Sequence, residues 1–500
     1  MKKILALSLS AFVLGGCAVI QNPFTDQEFE KFAQDDIKAI PEQEPFTGPL
    51  TLDEAMARAL KYNLERRVKL MEQELAGNQA VLAKFDLLPK LDVQANRTRR
   101  SNEMVLDSYD VTNPSAGIQE GNRVNTERSS NSASAKLVWN VLDFGVGYSL
   151  AKQAADEELM SRERRRRAVQ EILRDVRDAY WRAVGSGSVE DDVDRLTEET
   201  MRALRLSARS QKALARNPEK ALLYQRSLLE ILANLKEIQA GIVAARAKLT
   251  ALMGLPPKVN YTLAAPPKVL PIQRLRLDLD EMEQLALRDH PALREAHYQA
   301  RSMSEEAKKE IKRLFPGVEF SIGTSYDSNK YLHNQGWESY GIQVSWNLFN
   351  FLSASDRIRT AKQKKELVDR QRLNLSVALL TRLYVGNAQY ELDVEDFQLA
   401  ACLEDVGAKL HDIKKKSMRA RSGNRLELIH SEVDLMRLQL QRTIKYADMQ
   451  GSIALLKESM GMELLPATLP AHDVATIRDA IREQRESQEE NLEYVGRYCG

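Results

Sequence analysis

Apolar side chains recur along most of this chain at helical spacing, and in four short stretches the period drops to two. A helical pattern runs from Leu52 to Leu88 and stops at Pro89, which cannot donate to a helix ladder and crowds the residue before it. Alternation follows, with Leu91, Val93 and Ala95 between Asp92, Gln94 and Asn96. After a polar stretch, Ala133, Ala135, Leu137 and Trp139 alternate with Ser134, Lys136 and Asn140. Later, Val318, Phe320, Ile322 and Tyr326 oppose Glu319, Ser321, Gly323 and Asp327. Tyr340, Ile342, Val344 and Trp346 likewise oppose Gly341, Gln343, Ser345 and Asn347. Such strands suit a half-buried sheet or a membrane barrel with a wet lumen, and aromatics near strand ends suit a membrane interface.

Each strand pair leads into a very long helical pattern, 147–215 and 354–421, which at ~1.5 Å per residue predicts helices roughly 100 Å long. Gly185-Ser186-Gly187-Ser188 weakens the first without ending it. Breakers stand at Arg216-Asn217-Pro218 and Ser422-Gly423-Asn424, and shorter helices return to Met253-Gly254 and Met460-Gly461.

The order of elements is given twice. Leu52-Asp53-Glu54 recurs as Leu279-Asp280-Glu281, and Pro89 recurs as Pro316 at the same offset. Trp139-Asn140 recurs as Trp346-Asn347, and Met253-Gly254 as Met460-Gly461, at a second common offset. The offsets differ only across a polar stretch at 103–133, which is how a surface loop absorbs an insertion. The chain divides into a first repeat at 51–257, a proline-rich linker at 258–277, a second repeat at 278–466 and a charged tail at 467–500. Residues 18–50 carry spaced prolines and predict an extended arm.

The N-terminus changes the picture. Lys2 and Lys3 precede an apolar run from Ile4 to Leu14, as in a secretory signal over 1–16. Leu14-Gly15-Gly16-Cys17 resembles a bacterial lipobox, which implies cleavage before Cys17, acylation of that residue and a lipidated arm at 17–50. Ala18 in the next position, by the same analogy, implies sorting to the outer membrane. Elsewhere no apolar run reaches the roughly 18 residues of a membrane helix, so insertion would use strands or lipid. For Cys402 and Cys499 a disulfide is possible in an oxidising compartment, but no framework surrounds them, and Cys402 reads as a small apolar helix residue.

Lys and Arg number 72 against 71 Asp and Glu, so charge gives no reason to expect nucleic acid. The histidines form no metal-binding spacing, and neither a nucleophile elbow nor a phosphate loop occurs. The chain reads as a non-enzyme without a cofactor.

Helix, strand, loop, strand, long helix, tip and return helix, given twice after a lipobox, resembles the TolC-like outer-membrane factor family. The matching motifs are Leu52-Asp53-Glu54-Ala55 with Ala59-Leu60 and Asn63, His290-Pro291-Ala292-Leu293, Phe315-Pro316 and Trp346-Asn347-Leu348-Phe349. The resemblance covers 50–466. It implies a mainly α fold with a membrane β-barrel portion: a homotrimer with four strands per chain in a twelve-stranded barrel, continued by a helical periplasmic tunnel. It further implies a passive exit duct for a tripartite efflux or type I secretion system, with a periplasmic adaptor, an inner-membrane pump and outer-membrane lipid as partners. Independently, four strands cannot close a barrel, and an open edge in lipid strands backbone groups. The resemblance also implies an acidic ring just past the second tip, where Glu427, His430 and Asp434 share one helix face. Asn217, Pro218, Gly423 and Asn424 are then the adaptor-contacting tips. The other reading is a lipid-anchored periplasmic coiled-coil scaffold or adaptor that forms no pore. The cargo is not legible.

Overall fold

A capping box starts the first helix. In the computed structural model, which describes residues 23–109, 118–124, 126–210, 218–256, 259–267, 269–275, 277–420, 425–465, 471–488 and 492–494, Thr25 and Glu28 cap each other's backbone ahead of α1 (Asp26–Ala39). The arm expected to be extended thus holds a helix, and its signal was Thr-x-x-Glu rather than the prolines around it. No residue of α1 is buried.

The pattern from Leu52 to Leu88, expected as one helix, forms two: α2 (Leu52–Tyr62) and α3 (Leu64–Phe85). Asn63 steps out to φ −61°, ψ 124°, and its side chain accepts from Arg66 N at 3.1 Å and donates to Leu252 O at 3.2 Å. An asparagine that caps the next helix offers the backbone an alternative to its own ladder. Then come β1 (Lys90–Arg99), the hairpin β2 (Val105–Tyr109) and β3 (Ile118–Val124), and β4 (Ser129–Asn140). The stretch read as loop therefore carries a hairpin of its own.

Asn140 caps α4 (Val141–Gly187). Where a weakened but continuous helix was expected, the helix is interrupted for two residues, Ser188 and Val189, before α5 (Glu190–Ser210), with Ser188 still at helical dihedrals and its amide still donating to Val184 O at 3.1 Å. A Cβ on Gly185 would lie 2.0 Å from Thr443 Cγ2, so the glycine is there for close helix approach. Ser188 Oγ then donates to Gly185 O at 2.7 Å, completing the exit.

The return helix α6 (Pro218–Leu252) is followed by β5 (Pro271–Gln273), α7 (Leu279–Asp289) and α8 (Pro291–Lys312). Here the break falls at His290 (φ −63°, ψ 123°), whose Nδ1 accepts from Ala292 N at 3.2 Å while Pro291 opens the next helix. Burial, helped by Arg382, Arg167 and Arg166, lowers the pKa of His290 to about 4. The ring therefore stays neutral and can accept. β6 (Gly317–Asp327), β7 (Gly336–Ser345), the single turn α9 (Phe349–Leu352) and α10 (Ala354–Arg419) follow. α11 (Arg425–Ser459), α12 (Val474–Gln488) and β8 (Leu492–Tyr494) end the described chain. At 66 residues, α10 is about 99 Å long at 1.5 Å per residue.

Gly254 (φ 67°) and Gly461 (φ 73°) close α6 and α11. In each, the amide after the glycine reaches back to the last turn: Leu255 to Thr250 O at 3.1 Å and Met462 to Lys457 O at 3.0 Å, the double bond pattern of a left-handed helix end.

The segment before α2 and the helix α12 are both held beside α2. Arg58, 1% exposed, pairs with Glu54 and donates to the carbonyls of Glu44 and Pro45, which fixes the arm beside α2. From the other end, Arg485 on α12 pairs with Asp53 at 2.9 Å, while β8 pairs antiparallel with β5. Around them Leu60, Val176, Tyr180, Leu249 and Ile481 form one core. Cys402, half-buried on α10, is disulfide-bonded, the less favoured of its two readings.

Candidate functional site

The main sheet has the order β1-β4-β6-β7, all antiparallel. Its register keeps every apolar set on one face, because a period of two leaves no other way to align alternating strands. Leu91, Leu137, Ile322 and Tyr340 form one row across all four strands. Trp139, Phe320 and Ile342 form the row beside it. This face lies open: Val93, Tyr340 and Ile342 are each 73% exposed. An apolar patch of that breadth needs another apolar phase or partner.

The opposite face carries Asp92, Gln94, Ser134, Lys136, Asn140 and Glu319, lining a cleft at the sheet base beside Asp86 and Asp143. Lys136 and Glu319 lie 3.7 Å apart across it. β1 and β7 are the two edges, ten residues each. Ten residues at ~3.3 Å, tilted by about 40°, rise about 25 Å, the height of the apolar band of a membrane barrel. Below the sheet, Leu348, Phe349, Phe351 and Leu352 are exposed. Among the described residues no helix is long and apolar enough to cross a membrane.

The predicted tip residues separate in the structure. Glu427 is exposed, and its carboxylate pairs with Lys414 of α10 at 2.5 Å. Asp434, two turns on, is also exposed. His430 turns instead into the helix contact, with Nε2 2.6 Å from Ser227 Oγ on α6. Between them Ile429 and Val433 are buried against α5 and α6 in a core with Val193, Leu196, Leu228 and Ile231. Thus Glu427 and Asp434 share the open side of α11, and His430 leaves it. Pro218 is the first residue of α6. Cys17, Asn217, Gly423 and Asn424 lie outside the described residues, as does Cys499. No group of His, Cys, Asp or Glu among the described residues is arranged to hold a metal.

Two exposed seams escaped the sequence reading. On α3, Leu64, Val68, Met71, Leu75, Leu82 and Phe85 are all exposed at steps of four, three and seven. On α10, Leu392, Leu399, Leu403, Val406, Leu410 and Ile413 repeat the same steps. Apolar residues at that period mark a coiled-coil seam. The signal was present in the spacing, but core and seam residues look alike until burial tells them apart.

Comparisons with known proteins agree on the fold. The CmeC outer membrane channel of Campylobacter jejuni superposes with a TM-score of 0.66 at 12% identity, covering 95% of this chain and 98% of that one. The open state of the MtrE outer membrane channel of Neisseria gonorrhoeae gives 0.62 at 14% identity, covering 85% and 96%. The outer-membrane channel OprN gives 0.62 at 16% identity, covering 82% and 90%. No family model and no curated protein matches the sequence. The chain therefore has the fold of the outer-membrane channel proteins, mainly helical with a small sheet. Of the fold expected from the resemblance, the mainly helical channel architecture with a small sheet is the part present.

Proposed function

We propose that the protein is one subunit of a trimeric outer-membrane duct, the passive exit of a tripartite efflux or type I secretion system. The observation that carries this is the sheet: four strands, one apolar face open, one polar face, and two edges with no further strand paired to them among the described residues. Unpaired edge groups cost several kcal/mol each in lipid, so copies must join edge to edge. Three copies make a twelve-stranded barrel with the polar face inward. The seams on α3 and α10 support the same association along the helical tunnel. The matching glycine turns at Gly254 and Gly461, and the matching helix breaks at Asn63 and His290, support an internal duplication. An adaptor bound at Asn217, Pro218, Gly423 and Asn424 would couple the duct to an inner-membrane pump.

Topology gives the direct test. An epitope inserted near Asn122, in β3, or near Asn334, between β6 and β7, is expected to bind antibody on intact cells. Binding only after the outer membrane is permeabilised would favour a periplasmic scaffold instead. Purified protein should also give discrete single-channel steps in planar bilayers, which a scaffold cannot.

The lipid anchor rests on Leu14-Gly15-Gly16-Cys17. Palmitate fed to cells should label the wild type, and Cys17→Ser should lose the label completely. A labelled mutant removes the anchor from this proposal and leaves the duct intact.

At the tip, three copies of Glu427 and Asp434 on the open side of α11 would ring the periplasmic entrance with negative charge. A dense carboxylate ring favours cations and holds multivalent ones. In wild type, Lys414 partly offsets Glu427. Glu427→Ala is expected to reduce cation selectivity and block by trivalent cations several-fold, while Lys220→Ala on the first tip changes either far less. His430 is not expected to contribute, since it faces Ser227. Unaltered selectivity and block in Glu427→Ala would put the residue on the outer wall.

A further inference from the structure

Four arginines gather along the contact between α3 and α4. Arg66 and Arg67 lie in the first turn of α3, and Arg162 and Arg165 lie on α4. A Cβ on Gly77 would stand 3.9 Å from the Glu158 carboxyl, and one on Gly147 3.3 Å from Leu87, so the two helices run antiparallel in close register. Followed down α3, that register brings Arg66 and Arg67 beside Ala168, about one turn from Arg165. Arg162, Arg165 and Arg166 fall at i, i+3 and i+4 and share a face of α4.

The neighbouring arginines are neutralised and these four are not. Arg164 pairs with Glu157 and Glu295, Arg167 with Glu295, and Arg166 with Glu163 and Glu463. Arg66, Arg67, Arg162 and Arg165 make no ion pair with any described residue. Arg66 gives one guanidinium N–H to Leu60 O, which holds it at the break between α2 and α3. Burial and the charges of Arg165 and Arg67 push the Arg66 guanidinium below its ordinary pKa. Burial and Arg162 do the same to Arg165, partly offset by Glu463. An arginine keeps its charge at neutral pH all the same, so like charges are held together without compensation. Acidic and basic residues balance over the whole chain, 71 against 72, so the surplus here is local.

We propose that this cluster is a binding site for a soluble, phosphate-bearing anion. Arginine's planar fork takes two oxygens at once. A carboxylate offers two oxygens in one plane, and a single guanidinium occupies both. A phosphate offers three, directed apart, so guanidinia from α3 and from α4 can hold one group between them. The level excludes a bilayer headgroup. From Arg66 to Phe85, where α3 meets the sheet, is about 29 Å of helix at 1.5 Å per residue. Headgroups extend only about 5–8 Å beyond the hydrocarbon. That exclusion rests on the reading of the sheet as a membrane barrel, whereas the anion site itself does not.

Purified full-length protein in detergent at low ionic strength, titrated with inorganic pyrophosphate, tests the site. Pyrophosphate should raise the melting midpoint of wild type, and sodium chloride of equal ionic strength should not. Arg162→Gln combined with Arg165→Gln should bind pyrophosphate at least tenfold more weakly by calorimetry. Without ligand this double variant should melt at or above wild type, because two of four repelling charges are gone. A midpoint lowered by the substitutions would assign the arginines a packing role instead. Arg202→Gln on α5, which removes an arginine already paired with Glu198, should bind as wild type does. Equal affinity in the double variant, or no binding to wild type, would overturn the site. Citrate binding as tightly as pyrophosphate would overturn the phosphate assignment. Tighter binding of short-chain phosphatidylglycerol than of pyrophosphate would overturn the soluble source.

Discussion

Ile322→Lys is expected to abolish insertion into the outer membrane. Ile322 sits in the row Leu91–Leu137–Ile322–Tyr340, in the middle of the open apolar face. A lysine at the midplane of a membrane barrel costs about 2–4 kcal/mol. Three identical subunits would bring the total to roughly 6–12 kcal/mol, comparable with the whole stability of a typical domain. Ser134→Lys is the control. It lies on the polar face of the same sheet, next to Lys136, and should insert normally. The measurement is the fraction of protein recovered as heat-resistant oligomer from outer membranes. Equal recovery of both variants would mean that the apolar face meets protein rather than lipid.

Gly461→Ala is expected to destabilise the folded chain by about 3 kcal/mol or more. Left-handed backbone costs a residue with a Cβ roughly 1–2 kcal/mol. The new methyl would also stand 2.5 Å from Asp289 C and 2.6 Å from Asp289 O, so backbone must move. The penalty falls where α7 ends and α11 returns, a junction that no side-chain rotation can relax. Gly241→Ala on α6 makes the contrast, since a Cβ there meets nothing within 4 Å. Removing a helix-interior glycine should stabilise by about 0.5–1 kcal/mol. Thermal loss of helical circular dichroism in detergent reports both, and the two midpoints should move in opposite directions. A Gly461→Ala midpoint equal to wild type would show that the turn can be rebuilt without the left-handed residue.

The strands were legible to within a few residues, because alternation on both faces of Phe320–Ile322 and Tyr340–Val344 leaves one register that segregates apolar from polar side chains. Pro89 and Pro316 fixed their entries. Helix breaks were less legible. Asn63 sits inside unbroken helical periodicity, and what bends the chain there is a capping bond to the next turn; at His290 the signal was Pro291 in the following position. At Gly185 the deciding atom belongs to Thr443, far away in sequence. Gly185 was visible, but the helix that needs its missing Cβ was not. At the tip, one-face spacing put His430 with Glu427 and Asp434. Spacing alone takes no account of α6, whose Ser227 draws the imidazole inward.

The two hairpins differ in one mechanical respect. The first passes through a break at Ser188, while the second runs unbroken for 66 residues. Bending a continuous helix strains every backbone hydrogen bond along it, whereas a break localises rotation in a few dihedrals. In a trimeric duct the six hairpins would alternate, three jointed arms between three stiff rods. A docking partner would then meet a threefold pattern of compliance on a rim that looks sixfold in outline. In such a duct any swing of the first hairpin would centre on Ser188 and Val189, between α4 and α5, and the second hairpin would have no counterpart to it.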